Sequence, residues 1–158
     1  MNVRDPAREP GAQTKLTAEV SLFAESIRKA PPQKLQMSAT SEWGAREILI
    51  HLVFWHGQYV CIIKNLLEDR QPVLLTGTFK SINEECIAGF SSCSTDELVV
   101  SLERLQNELA RLAQMEQTNR LCFSLRQGSK KWEFPEFMQA ITRHIRKHRL
   151  QVRRLIRL

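Results

Sequence analysis

No stretch of this 158-residue chain is apolar for long enough to cross a bilayer. A spanning helix needs about 20 consecutive apolar residues, and the longest runs here, on either side of His51, are far shorter. No internal repeat and no low-complexity tract is visible, which removes repeat architectures. The four cysteines, Cys61, Cys86, Cys93 and Cys122, form no CxxC pair and no disulfide-rich spacing. Reduced thiols in a cytoplasmic protein are the expectation. There is no Ser-His-Asp or Cys-His grouping, no phosphate-binding glycine loop and no pair of carboxylates at useful spacing. The segment MNVRDPAREPGAQ contains acids and prolines but no apolar core, so a disordered leader over residues 1–13 is expected rather than a secretory signal. Apolar content is 42% and aromatic content 7%, values of an ordinary domain able to bury a core.

Acidic residues are missing altogether from Thr142 onward, where seven of the 23 lysines and arginines lie. The formal charge of +6 therefore belongs to one helix surface. Without that tail the chain is close to neutral. Such a surface suits an anion, a nucleic acid or an acidic partner. It suits equally a solvated helix face whose cations complement the helix C-terminus. With no aromatic or glycine-rich reader elements among the charges, the solvated face is the preferred reading and nucleic acid is not expected.

What is present is amphipathic helix. Leu16, Val20, Phe23, Ala24 and Ile27 mark a first helix from about Thr14 to Lys29, stopped by Pro31 and Pro32. A second runs from about Ser41, a candidate N-cap, to Asp69. It is apolar on most of its circumference, as a central or interface helix is. His51 shares one side with Ile48, Trp55 and Ile62. A second strip (Ile50, Phe54 and Cys61, with Gly57 alongside) faces away, and can pack on a neighbouring helix or on a second copy in a homodimer. Residues 70–93 carry no long periodic pattern. RQPVLLTGTF reads as extended and SINEECIAGF as a short helix. A connection of this length suits a crossover between the second and third bundle helices. Ser94 and Glu97 have capping-box spacing, and Leu98, Leu102, Leu105, Leu109 and Leu112 then form a bundle seam. That helix frays near Gln117–Arg120. LCFSLRQGSKKWEF reads as a hairpin turning near Gly128, and Pro135 opens the last helix. The expected fold is all-α: a four-helix bundle over residues 14–158 with a long crossover, an irregular α domain being the alternative.

The last helix carries Phe134, Phe137, Met138, Ile141, Ile145, Val152 and Leu155 on one face. His148 points near the middle of that stripe and His144 sits on its flank, one turn earlier. The chain has only four histidines. His56 is rotated about 140° from His51 on the same helix and is read as peripheral. His51, His144 and His148 can converge if the second helix packs on the last. Three imidazoles suit Zn, Ni, Fe or Mn and leave coordination positions open. Hydrogen-bonded core histidines are the competing explanation. Glu47, one turn before His51, is a candidate acceptor for an imidazole N–H or a carboxylate at a solvated helix start. Trp43, Trp55 and Tyr59 either line a pocket or pack the core.

The segment EWGAREILIHLVFW (residues 42–55) resembles the helix-two signature of the DinB-like superfamily, and ITRHIRKH (141–148) resembles its fourth-helix HxxxH segment. The middle stretch, residues 77–102, is similar to the ClbS/DfsB branch. The resemblance implies a four-helix bundle with a long crossover, often a homodimer. It implies a divalent metal held by one histidine of helix two and two of helix four, here His51, His144 and His148. Activities associated with the superfamily are thiol S-transfer with bacillithiol or mycothiol, glutathione- or mycothiol-dependent isomerisation and, in the ClbS-type branch, self-resistance hydrolysis. The functions carried forward are a metal-dependent thiol S-transferase or detoxifying hydrolase and, as the alternative, a non-catalytic small-molecule-binding or self-resistance protein.

Overall fold

The computed structural model describes residues 11–157. The leader expected over 1–13 lies outside them, except that Ala12 and Gln13 already belong to the first helix. Five helices follow one another: α1 (Ala12–Arg28), α2 (Ala45–Leu67), α3 (Phe79–Gly89), α4 (Thr95–Ala113) and α5 (Phe134–Arg157). A two-stranded antiparallel hairpin, β1 (Cys122–Ser124) and β2 (Lys131–Glu133), precedes α5. Helices α1, α2, α4 and α5 form the four-helix bundle, and α3 lies in the crossover. None of the described helices is long and apolar enough to cross a membrane.

Side-chain contacts fix the directions. Arg46, at the start of α2, donates to Thr95 Oγ1 at the start of α4 (2.9 Å) and to the carbonyl of Cys93. Lys64, near the end of α2, pairs with Glu108, near the end of α4 (3.4 Å). The two helices therefore run parallel, and a connection between parallel neighbours must travel the length of the bundle. That is the physical reason for the long segment between them. Helix α1 runs alongside α5 in the same direction: Glu19 binds Arg149 at 2.7 Å, with both side chains largely buried. Helix α5 packs extensively on α1 but only sparsely on α2. Helix α3 packs on α2 and the hairpin on α5, so both flank the sparse α2–α5 contact.

The core is one continuous cluster drawn from all four bundle helices. Leu98, Leu102, Leu109 and Leu112 of the expected seam are buried, and Leu105 is half-buried. On α2 the second apolar strip divides: Ile50 is fully buried, Phe54 and Gly57 are partly covered, and Cys61 is exposed. Gly57 lies against Leu105 of α4.

The start of α2 differs from expectation. Gly44, not Ser41, is the N-cap; it has no side chain to accept from the first turn, and Glu47 makes the reciprocal half of the cap by reaching back to the cap's own N–H. Its carboxylate takes the backbone N–H of Gly44 (3.1 Å) and that of Ser38. A side chain at the third helical position can reach back to the cap in this way, and Glu47 is 4% exposed. It is thus neither an imidazole partner nor a solvated carboxylate. Helix α4 starts as read, with reciprocal bonds between Ser94 and Glu97. The hairpin turns through Gly128, whose φ of +74° a side chain rarely adopts.

Candidate metal centre

Helix α2 brings His51 to the sparse α2–α5 contact, and α5 brings His144 and His148 there one turn apart. One ring nitrogen of each lies within 4.8 Å of the others. His51 Nε2 is 3.1 Å from His144 Nε2. The ring centroids of His144 and His148 are 4.4 Å apart and those of His51 and His148 5.1 Å apart. Metal–imidazole bonds of about 2.0–2.1 Å place adjacent donor atoms roughly 3–3.5 Å apart in tetrahedral or octahedral geometry. The observed spacing is a small side-chain adjustment away from that.

The tautomers follow from the hydrogen bonds. Trp55 Nε1 can only donate, and it donates to Asn83 Oδ1 at 2.8 Å. That fixes the orientation of the Asn83 amide. The same Oδ1 lies 3.1 Å from His51 Nδ1, so Nδ1 must carry the proton and donate. His51 Nε2 is then left with a lone pair facing His144. On α5, the side-chain Oε1 of Gln151 lies 3.2 Å from His148 Nδ1. If the amide is oriented this way, Nδ1 donates and Nε2 of His148 is likewise a lone pair. Acceptors that hold the outer ring nitrogen are the usual support of a metal-ligating histidine.

Electrostatics act in the same sense. Burial, reinforced by the mutual repulsion of the three rings if charged, lowers His51 to about 3. His148 falls to about 4, from burial and then from His144, against the opposing bond to Gln151. His144 is lowered by burial and by Lys147. The three imidazoles are neutral at pH 7, the form that binds a cation. Among the described residues no carboxylate joins the group. With His51 Nε2 a lone pair, His144 Nε2 donates to it across 3.1 Å, and a shared cation would take the place of that proton. The donor set and its neutral charge state fit a divalent metal.

His56 stays out of the group, as its rotation on α2 requires. It is not at the surface, however. It is fully buried and its Nε2 lies 3.0 Å from Gln106 Oε1 of α4. Gln106 in turn donates to Thr17 Oγ1 of α1 (3.1 Å), so a polar chain links three helices through the core. Burial lowers His56 to about 4, against the opposing bond to Gln106.

A cavity of about 360 Å³ opens beside His51 and His144. Trp55, Tyr59 and Phe137 form its inner wall, and Phe79 and Trp132 come from α3 and the hairpin. Trp43 packs on the His51 ring at 5.0 Å without lining the cavity. Sequence reasoning missed Asn83, Gln151 and Trp132. Gln151 was detectable as the amide three residues after His148, one turn along the same face. Asn83 and Trp132 reach the site from the crossover and the hairpin, whose placement no periodicity reveals.

The basic surface of α5 is largely solvated: Arg143, Arg146, Lys147, Arg153, Arg154 and Arg157 are exposed, while Arg149 is held by Glu19. The four cysteines are free.

No family model matches the sequence, and no curated protein matches it either. Among solved structures, the crystal structure of an uncharacterised protein from Escherichia coli UTI89 is similar. Its TM-score is 0.71 over 91% of this chain and 90% of that chain, at 14% identity. At that identity the likeness shows the bundle fold alone, and the fold agrees with the DinB-like architecture expected above.

Proposed function

We propose that the protein is a divalent-metal protein of the DinB-like kind, with His51, His144 and His148 as ligands, and that it acts on a small molecule bound beside them. The observation that supports this reading is the convergence of one ring nitrogen from each of the three histidines within 4.8 Å, with the His51 tautomer set by Asn83. When bound, the ion keeps its full positive charge on three neutral ligands, and lowers the pKa of a coordinated water or thiol or polarises an electrophile. Asn83 holds the His51 proton on Nδ1. Gln151 does the same for His148. The aromatic wall gives an apolar surface on the side where a substrate would lie. Thiol S-transfer and hydrolytic detoxification both use these elements, and Zn, Ni, Fe and Mn all accept such a ligand set.

Elemental analysis of protein purified without a histidine tag tests the reading. About one equivalent of divalent metal per chain is expected, or its uptake on reconstitution. His148→Ala and His51→Ala should each abolish it. A folded wild-type protein that takes up no metal removes the proposal. The cavity favours one second reading: a non-catalytic small-molecule binder. Ligand-induced stabilisation that survives His144→Gln/His148→Gln would support it over the enzyme.

A further inference from the structure

Beside the metal centre, α5 carries a groove that the proposed chemistry does not use. Its volume is about 680 Å³, within the roughly 300–1,000 Å³ usual for ligand pockets. Arg143, Arg146, Lys147 and Arg154 line it, with Leu150 among them. The spacing explains the convergence. Steps of three, four, seven and eleven residues return to nearly the same side of a helix. Four cations and one leucine thus share a face over about 16 Å of helical rise. His148 and Gln151, rotated toward the core, complete the lining.

The four cations have no counter-charge. Elsewhere Arg28, Lys64, Arg111 and Arg149 each meet a carboxylate. Among the described residues no acid lines the groove, and none pairs with Arg143, Arg146, Lys147 or Arg154. Their mutual repulsion is relieved by an anion placed between them. Gln151 adds a neutral donor. Its Oε1 faces His148 Nδ1 at 3.2 Å, so its amide N–H groups point away from that ring, and they have no protein partner among the described residues. Leu150 is 40% exposed, an apolar contact in the middle of the charged face. The stems of the long cationic side chains extend that apolar surface.

The distribution of charge selects the size of the ligand. A nucleic acid duplex draws its affinity from many phosphates tracked along an extended basic surface. Here the basic excess is confined to α5, and the chain before Thr142 is close to neutral. A compact polyanion uses all four cations without needing more.

We infer that this groove binds a small molecule bearing two or more negative charges, as carboxylate, phosphate or sulfonate groups, on a partly apolar body. The site adjoins the metal centre through His148, but the assignment goes beyond the metal reading and does not depend on it.

The probe is naphthalene-1,5-disulfonate, a dianion that chelates metals poorly, and naphthalene-1,5-diol is its uncharged counterpart. Both are titrated calorimetrically into the full chain stripped of metal, at pH 7.5 and low salt. The dianion should bind at least tenfold more tightly than the diol, and its affinity should fall as salt is raised. Arg143→Gln/Arg154→Gln should weaken it at least fivefold. Lys131→Gln/Arg153→Gln removes the same charge from exposed positions outside the groove and should change it less than twofold. All four substituted side chains are exposed, and thermal midpoints confirm that both variants fold. No binding of the dianion at millimolar concentration, equal binding of the diol, or equal effects of the two double substitutions would each overturn the inference. Tighter binding of a twelve-base-pair DNA duplex at physiological salt would assign the face to nucleic acid and overturn it too. Because the titrations use metal-free protein, a chain that never takes up metal would remove the metal centre and leave this result standing.

Discussion

Replacing Asn83 with Leu separates a support of the metal centre from a mere packing residue. The Asn83 carbonyl oxygen is the acceptor for two donors, Trp55 Nε1 at 2.8 Å and His51 Nδ1 at 3.1 Å. Leucine matches the volume and accepts neither. Trp55 is 3% and His51 6% exposed, and a stranded buried donor costs about 1–3 kcal/mol. Both residues also line the cavity, so water can reach part of the site. The expected cost is near the low end, about 2 kcal/mol in all, or a fall of about 4–8 °C in Tm for a chain of this size. The second effect falls on the ion. Without Asn83, His51 is free to move its proton to Nε2 and to turn its ring. Loss of such a support typically lowers metal affinity 10–100-fold, equivalent to about 1.4–2.8 kcal/mol. Competition with a chromogenic zinc chelator at pH 7.5 measures it. Gln106→Leu is the control, since it strands His56 in the core far from the ion. Asn83→Asp, which keeps the acceptor and adds charge, should hold affinity at or above the wild-type value. If Asn83→Leu melts lower but binds zinc within twofold of wild type, the tautomer argument is wrong.

Acid should destabilise the metal-free protein. His51, His56, His144 and His148 all titrate lower in the folded chain than their usual 6.5. The unfolded chain therefore binds more protons in between, and stability rises with pH there. The contribution is present above about 6.5 and is lost as pH falls toward 4 and 3; urea midpoints from pH 7.5 to 4.5 should decline over that span, and a flat profile would contradict the burial of these rings. Gln106→Leu should cost about 1–3 kcal/mol by calorimetry while leaving zinc affinity unchanged; a shift in affinity would mean that the core polar chain communicates with the centre. Glu47→Ala removes two charge-assisted caps and should cost about 2–3 kcal/mol with the metal still bound; loss of metal at intact fold would restore Glu47 as a partner of the histidines.

The bundle helices were legible because each carries a 3.6-residue apolar rhythm. Leu16–Ile27 and Phe134–Val152 are buried on the faces their spacing marks. The three histidines were legible for the same reason, since His148 lies on the core stripe of the last helix and His144 on its flank. Their supports were not. Asn83 belongs to an eleven-residue helix whose docking depends on the parallel course of α2 and α4. The cap of α2 was misread because Ser41 offers the usual side chain, whereas the cap is Gly44, whose own N–H is held by Glu47 from inside the helix. His56 was placed by its rotation, but its burial depends on an amide from α4 that no local pattern announces.

His51 and His144 are separated by 93 positions along the chain, and they meet where two helices touch only sparsely. A polypeptide still lacking its final helix would offer only His51 of the three ligands and could not hold an ion in this way. Loading would come only after the last segment has docked. Metal content would then report on completed topology, and the ion would act as a clasp across a closure that loop entropy opposes.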